Sequence, residues 1–243
     1  MAIVIDGNNT PTAGGIGYGD GTELAFTAAG SAGGVLYSAG SSAPAFSAAG
    51  SSGQLLQSNG ASAPSWATVA SSPMVLITTT TASAASQVAF TGLSSTYVKY
   101  IIELTNVSSS NNNANLYIRT STNNGSSYDS SASDYVWLAG LADQGTATMG
   151  IANSTVATEI RVGVSISNVV NDGGINIQFN LINPSAATRT VMYWDGGYVN
   201  AGPNYVRVLG TGVRNSTSGA VNAVQLLPGS GTFTGTFKLY GVL

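Results

Sequence analysis

The side chains that could carry out chemistry are few, and their types exclude several reactions. The 243 residues include ten carboxylates and seven basic side chains but no cysteine and no histidine. The usual thiolate and imidazole ligands of zinc are therefore missing, as are cysteine nucleophiles and histidine-based catalytic triads. Disulfide bonds cannot form. These absences predict a protein without a catalytic, metal or cofactor site.

The carboxylates are the remaining candidates for acid–base chemistry. A glycoside hydrolase needs two that face each other, one of them with a raised pKa. The possible members of such a pair are Asp129, Asp134, Glu159 and Asp195. No spacing brings two of them together, so we interpret them as solvated acids at turns and strand edges. Residues 171–174 (NDGG) favour a hairpin turn over half of a calcium loop, which needs further spaced acids.

Aromatic side chains near predicted loops and strand ends are better candidates for a binding surface. Flat rings suit the C–H faces of sugars, and neighbouring Asp and Asn side chains suit their hydroxyl rims. On this basis the predicted receptor-binding residues are Asp134, Tyr135 and Trp137, followed by Tyr198 and Asn204. Large aromatic residues of β-sandwiches are usually buried, which favours the competing interpretation that most of these rings make core or inter-subunit contacts.

The composition narrows the possible partners. Charged residues make up 7% of the chain, against roughly a quarter in ordinary soluble domains. A net charge of −3 argues against a nucleic-acid partner. A surface of hydroxyls and amides suits tight self-association, because few charges must be desolvated. The apolar runs are too short for membrane insertion, and residues 1–9 lack the cationic segment of a signal peptide.

A repeat of 20 residues occupies the N-terminal part of the chain. Residues 25–33 recur as residues 45–53, and residues 33–46 match residues 53–66. A degraded copy, one residue short, precedes them at residues 18–26. Fixed periods indicate a repetitive, quasi-one-dimensional architecture.

Each repeat has too little apolar area to order itself. One Val/Leu pair and one aromatic ring among small residues cannot offset the ordering entropy of some twenty residues at ~25 cal/mol per Å². The segment is therefore either a flexible linker or a stalk in which several identical chains share their apolar side chains. The constant spacing favours a stalk over residues 25–73. The predicted oligomer-forming residues are Phe26, Val35, Leu36, Phe46, Leu55, Leu56 and Trp66.

The remainder, residues 74–243, reads as β-strands. Apolar and polar residues alternate over residues 98–105, 115–120, 159–166, 175–181 and 233–240. Turn signals separate the strands, as at residues 123–125, 171–174 and 195–197. No segment keeps a helical period. The sequence thus predicts an all-β fold, with a jelly-roll-like antiparallel β-sandwich head after the stalk.

Several segments resemble bacteriophage tail-fibre proteins. Residues 53–60 (GQLLQSNG) followed by residues 63–66 (APSW) are similar to repeats of such fibres. Residues 3–7 and 18–22 resemble the N-termini of related virion proteins, and residues 118–125 and 231–241 resemble strands of fibre heads. The resemblance implies a homotrimeric virion fibre, made in the host cytoplasm without a signal peptide. It also implies that residues 1–24 attach to other virion proteins and that the head recognises a host-surface glycan.

Two alternatives stay open. One is a purely structural virion component, such as a head fibre, capsid decoration or baseplate accessory, that contacts only other virion proteins. The other is a glycan-degrading enzyme, against which the missing histidine and unpaired carboxylates count.

Overall fold

The chain forms two compact units, Met1–Ser71 and Ser72–Leu243. The computed structural model describes residues 12–69, 72–216 and 219–243. All the strands pair in antiparallel fashion, and a 3-10 turn at Val170–Asp172 is the only helical element of the described residues. The predicted all-β fold class is confirmed. Across the described part of the chain, no helix is long and apolar enough to cross a membrane. Residues 1–11 of the predicted attachment segment (residues 1–24) lie outside the described residues.

The N-terminal unit contains three successive β-hairpins. Their strands are β1 (Gly17–Gly19) with β2 (Leu24–Phe26), β3 (Leu36–Tyr37) with β4 (Ala45–Phe46), and β5 (Gln54–Asn59) with β6 (Ser62–Thr68). The aromatic residue of each repeat occupies the same place, since Phe26 pairs with Gly17, Phe46 with Leu36 and Trp66 with Leu56. The degraded copy is therefore a full hairpin, and the boundary predicted between residues 24 and 25 falls inside β2.

A glycine turn leads into each hairpin. Gly14, Gly33 and Gly53 have φ of 76°, 80° and 84°, the left-handed region that glycine enters without a steric penalty. The next residue in all three copies donates its N–H back across the turn, from Gly15 to Thr12 O, from Gly34 to Ser31 O and from Gln54 to Ser51 O. These turns explain why glycine recurs at fixed places in the repeat.

A hydroxyl then fastens the first two hairpins at their base. The Thr27 Oγ1 accepts from the Ile16 N–H at 3.0 Å and donates to Ala28 O. Ser47 makes the equivalent bonds to Val35 and Ala48. The third copy has Ala67 at this position and extends the strand pairing instead, from Gln54 to Asn59.

Successive repeats contact each other through an aromatic ring laid on a glycine. A Cβ added to Gly30 would lie 2.7 Å from the ring of Phe46, and one added to Gly50 would lie 2.5 Å from the ring of Trp66. The indole Nε1 of Trp66 also donates to Ala48 O at 2.7 Å. The aromatic and glycine positions of the repeat are thus partners in one contact between neighbouring copies.

The C-terminal unit consists of two antiparallel sheets. Across the larger sheet the strands follow the order β12 (Thr148–Ala157), β11 (Tyr135–Asp143), β16 (Tyr205–Arg214), β15 (Val191–Val199), β14 (Ile175–Ile182), β9 (Lys99–Ser109), β18 (Phe233–Val242) and β7 (Met74–Ala85). The smaller sheet has the order β13 (Ile160–Ile166), β10 (Ala114–Ser121), β17 (Ala223–Pro228) and β8 (Val88–Thr91). Sheets of eight and four strands differ from the eight-stranded jelly roll.

Both sheets contribute to one hydrophobic core. The alternation predicted from sequence is visible in β14, which buries Ile175, Ile177, Phe179 and Leu181, and in β10, which buries Leu116 and Ile118. The ring of Trp194 on β15 stacks on Phe179 with centroids 6.0 Å apart. The opposite face of the larger sheet, called the outer face, carries side chains of the alternate positions, among them Leu138, Tyr193 and Leu209.

Replacing Gly210 by alanine tests this packing. Gly210 pairs with the buried Trp194, and an added Cβ would overlap the indole ring. Because Trp194 is held against Phe179, we expect Gly210→Ala to lower the free energy of unfolding by about 2–3 kcal/mol in chemical denaturation. The matched control is Gly150→Ala on β12, where the added Cβ would lie 3.8 Å from Leu141 O; a change within about 0.5 kcal/mol is expected. Equal losses in both variants would contradict this account.

Candidate ligand-binding cleft

Two of the predicted receptor-binding tyrosines are core residues. Tyr135 is fully buried, and its hydroxyl accepts from the Thr120 N–H at 2.7 Å. Tyr198 is also buried, and its hydroxyl accepts from the Val164 N–H at 3.0 Å. Burial raises the pKa of each tyrosine to about 12. Neither ring is presented to a ligand, because each is covered by the second sheet or its connections.

Trp137 is almost buried and carries a cation on its ring. The guanidinium carbon of Arg161 lies 4.9 Å from the ring centroid, a cation–π arrangement. Both residues line a small cleft of about 290 Å³ with Tyr117 and Glu159. Asp134 does not line this cleft. Its carboxylate accepts from the Ser131 N–H at 2.6 Å and closes a local turn.

Three of the four carboxylates considered for acid–base chemistry face an arginine. Asp129 pairs with the buried Arg214 at 2.6 Å, Glu159 with Arg119 at 2.5 Å, and Asp195 with Arg207 at 2.6 Å. A two-carboxylate mechanism requires a second carboxyl group at these places. Within the described ranges no cluster of three or more acidic, cysteine or histidine side chains could hold a metal ion.

A polar concavity, called the polar cleft, lies on the outer face of the larger sheet. It has a volume of about 500 Å³. Backbone of Gly174, Gly196 and Gly197 forms part of its lining. The polar side chains that surround it are Asp172, Asn176, Gln178, Asp195, Tyr205 and Arg207. Tyr198, one of the predicted receptor-binding residues, and Val199 also belong to the lining, although only 2% of Tyr198 is exposed.

Three neighbouring strands position these side chains. In the register of β14, β15 and β16, Gln178 pairs with Asp195 and Gly197 pairs with Arg207, so their side chains share the outer face. The ring of Tyr205 reaches over Gly197, where a Cβ would overlap the hydroxyl end of the tyrosine. Residues 195–197 were predicted as a turn, but they lie inside β15, where Gly197 leaves room for the Tyr205 ring on the outer face.

Some polar groups of the cleft are held by hydrogen bonds within the chain, and others make none in the part of the chain that the structure describes. Arg207 Nη2 donates to both oxygens of Asp195, at 2.8 and 2.6 Å. Asn176 is fixed too, because it accepts from the Asn106 N–H and donates to Gly173 O. The amide of Gln178 and the hydroxyl of Tyr205 have no hydrogen-bond partner among the described residues, and the Tyr205 side chain is exposed.

This arrangement suits a ligand rich in hydroxyl groups. It offers an exposed aromatic ring, a free amide that both donates and accepts, and a charged pair with unused guanidinium donors.

Asn204, the fifth predicted residue, does not line the polar cleft. Its N–H donates to Asn200 Oδ1, and its side chain covers Gly145. It holds the turn that leads to Tyr205.

Sequence reasoning missed Tyr205, Arg207 and Gln178 as a group. Tyr205 and Arg207 lie two residues apart on β16, whereas Gln178 lies on β14, and only the strand register brings Gln178 to the other two. The alternation within β16, which separates Tyr205 and Arg207 from Val206, is the one local signal of a shared face.

The chain was compared with protein families, curated proteins and solved structures. No protein-family model, no curated protein and no solved structure matches the chain.

The two buried tyrosines predict a loss of stability in alkali. Their folded pKa of about 12 lies above the ordinary value of 10, so they stabilise the fold below pH 10 and this contribution is lost as the pH rises to 12. Each should lower the free energy of unfolding by about 1.4 kcal/mol per pH unit in that window. Urea denaturation across pH 9–12 checks this expectation. In the Tyr135→Phe/Tyr198→Phe double variant the slope should shrink, and an unchanged slope would assign it to other groups.

Proposed function

We propose that this chain is a non-enzymatic structural protein of a bacteriophage virion fibre. Several copies, three in the simplest case, would wind together through the N-terminal repeats and present the C-terminal β-sandwich as a head. The head would bind a host-surface glycan in the polar cleft. Attachment to other virion proteins would occur through the segment that precedes the hairpins.

The observation that supports a multi-chain stalk is the absence of a core in the N-terminal unit. Within residues 12–69 no hydrophobic side chain is buried, and Leu36, Leu55 and Leu56 are 43%, 63% and 43% exposed. Hairpins with this little burial are marginal alone. Neighbouring copies of the same chain would cover these leucines. Leu36 and Leu56 occupy the same place in their repeats, and Leu55 corresponds to Val35.

Glycan recognition is supported by the chemistry of the polar cleft. An aromatic ring beside free amide and guanidinium groups is a combination that matches one face and the hydroxyl rim of a sugar. A single shallow cleft binds weakly, but several copies on one fibre would multiply the effect through avidity. Pairing of the carboxylates with arginines supports binding rather than hydrolysis, and release of oligosaccharides from host polysaccharide by the purified protein would contradict this part of the proposal.

A second candidate is a purely structural virion component with no receptor role. The apolar side chains exposed on the outer face, including Leu138 and Leu209, favour contact with another protein. Virions that lack this chain separate the two candidates. Loss of adsorption supports recognition, whereas normal adsorption with less stable particles supports the structural role.

Substitution of Tyr205 tests the glycan proposal. Loss of the exposed ring over Gly197 in Tyr205→Ala should weaken binding to bacterial surface polysaccharides about 10-fold or more in a glycan array and reduce adsorption to host cells. The matched control is Tyr193→Ala, which removes a tyrosine of similar exposure, 42% against 53%, from the outer face but outside the polar cleft. Binding by the control should be unchanged, and equal effects in both variants would remove the polar cleft as the site.

Substitution of Leu56 tests the stalk. An aspartate at this position would have to be desolvated in the shared interior, so Leu56→Asp should weaken assembly of the full chain about 10-fold or more in sedimentation equilibrium. Gln57→Asp adds the same charge one residue along β5, where Gln57 is exposed, and should assemble normally. A wild-type chain that sediments as a monomer at all concentrations would refute the stalk.

A further inference from the structure

The two edges of the larger sheet lack the protection that edge strands usually have. Its outermost strands, β7 and β12, contain no charged residue and no proline. The edge strands of the smaller sheet have such protection, because β8 has only four residues and β13 carries the charged residue Arg161. Natural sheets blunt their edges with short strands, charges, prolines or covering segments, because unpaired N–H and C=O groups otherwise pair with another chain.

Each unprotected strand contains a straight stretch with a free side. Residues 78–82 of β7 pair without irregularity with residues 235–239, and residues 148–153 of β12 pair likewise with residues 138–143. These two stretches, called the edge runs, have the length of an average strand. Among the residues that the structure describes, none pairs with the other side of either edge run.

Exposed apolar side chains mark the same strands. Ile151 on β12 is 76% exposed, the highest value among the exposed large hydrophobic side chains, and Met149 is also exposed. On β7 the exposed large apolar residues are Met74, Leu76 and Ile77, which precede the edge run on the same strand. Backbone pairing at these edges would therefore bury apolar area as well as satisfy the free N–H and C=O groups.

The strand directions favour one mode of pairing. Eight antiparallel strands alternate in direction, so β7 and β12 run in opposite directions. If copies are related by a rotation axis along the strands, β7 of one copy meets β12 of the next in antiparallel alignment. This head-to-tail contact fills both edges of every copy and closes a ring, whereas pairing of β12 with β12 leaves each β7 free.

We propose that the edge run of β7 in one copy pairs with the edge run of β12 in the next copy, which makes the larger sheet continuous around the assembled heads. The partner is a second copy of this chain, so the inference rests on the self-association that forms part of the proposed function. It goes further in assigning a backbone interface to the C-terminal unit, independent of the repeats.

Hydrogen exchange of the full chain tests this interface. In a free edge strand every second amide faces water and exchanges rapidly, whereas a paired strand is protected on both sides. We expect the edge-facing amides of residues 78–82 and 148–153 to exchange on the order of 100-fold more slowly in the assembled protein than in protein diluted until it dissociates.

The variant Ile151→Lys identifies the partner strand. A lysine on β12 opposes pairing of this edge with another strand. In a head-to-tail contact the partner is β7 of the next copy, so residues 78–82 would also lose their protection from hydrogen exchange. They would do so although β7 and β12 lie at opposite edges of one sheet. Leu209→Lys is the matched control, since it places the same charge on an exposed position of the interior strand β16. It should leave both edge runs protected. Circular dichroism confirms that each variant is folded.

The possible outcomes separate the two proposals. Rapid exchange of both edge runs in a protein that sediments as an oligomer overturns the edge interface and leaves the stalk in place. A monomeric protein overturns both. Protection of residues 78–82 that persists in Ile151→Lys rejects head-to-tail pairing, and equal loss in Leu209→Lys assigns the contact to the outer face instead.

Discussion

Antiparallel backbone pairing is the interaction on which both units depend. The number of apolar side chains decides whether the paired strands of a unit also form a buried core. The C-terminal unit has enough of them to cover two sheets, so Phe179, Trp194 and their neighbours form an ordinary core. The N-terminal hairpins have the same pairing, but among residues 12–69 no hydrophobic side chain is buried. This difference in burial is the reason for proposing that copies of the chain cover one another there, and the low charge content reduces the cost of desolvation on contact.

Glycine occupies the positions where the backbone turns sharply or where an aromatic ring lies against it. In the repeats it permits left-handed turns and accepts an aromatic ring, as Gly50 accepts Trp66. In β15 the missing side chain of Gly197 lets the ring of Tyr205 lie over the sheet beside the polar cleft. The same residue type therefore makes room for an aromatic ring in both units, because a side chain there would occupy the space that the ring fills.

Much of the fold was accessible from sequence, and most of the candidate site was not. Alternation predicted the strands because burial of one face imposes a period of two, as in residues 175–181. Alternation does not say which face a second sheet covers, so Tyr135 and Tyr198 could not be recognised as core residues. The glycines after Asp195 suggested a turn but lie within a strand. Gln178, Asp195 and Tyr205 meet only through strand register, which single-sequence patterns do not determine.

The contact between an aromatic ring and the glycine sixteen positions earlier makes the N-terminal repeats modular. Phe46 reaches back to Gly30, and Trp66 to Gly50. Gain or loss of a whole repeat by recombination would preserve this contact at each junction. The hairpin loops between glycine and ring differ in length, residues 38–44 against residues 60–61, while both rings keep their glycine, so loop length and repeat number can change separately.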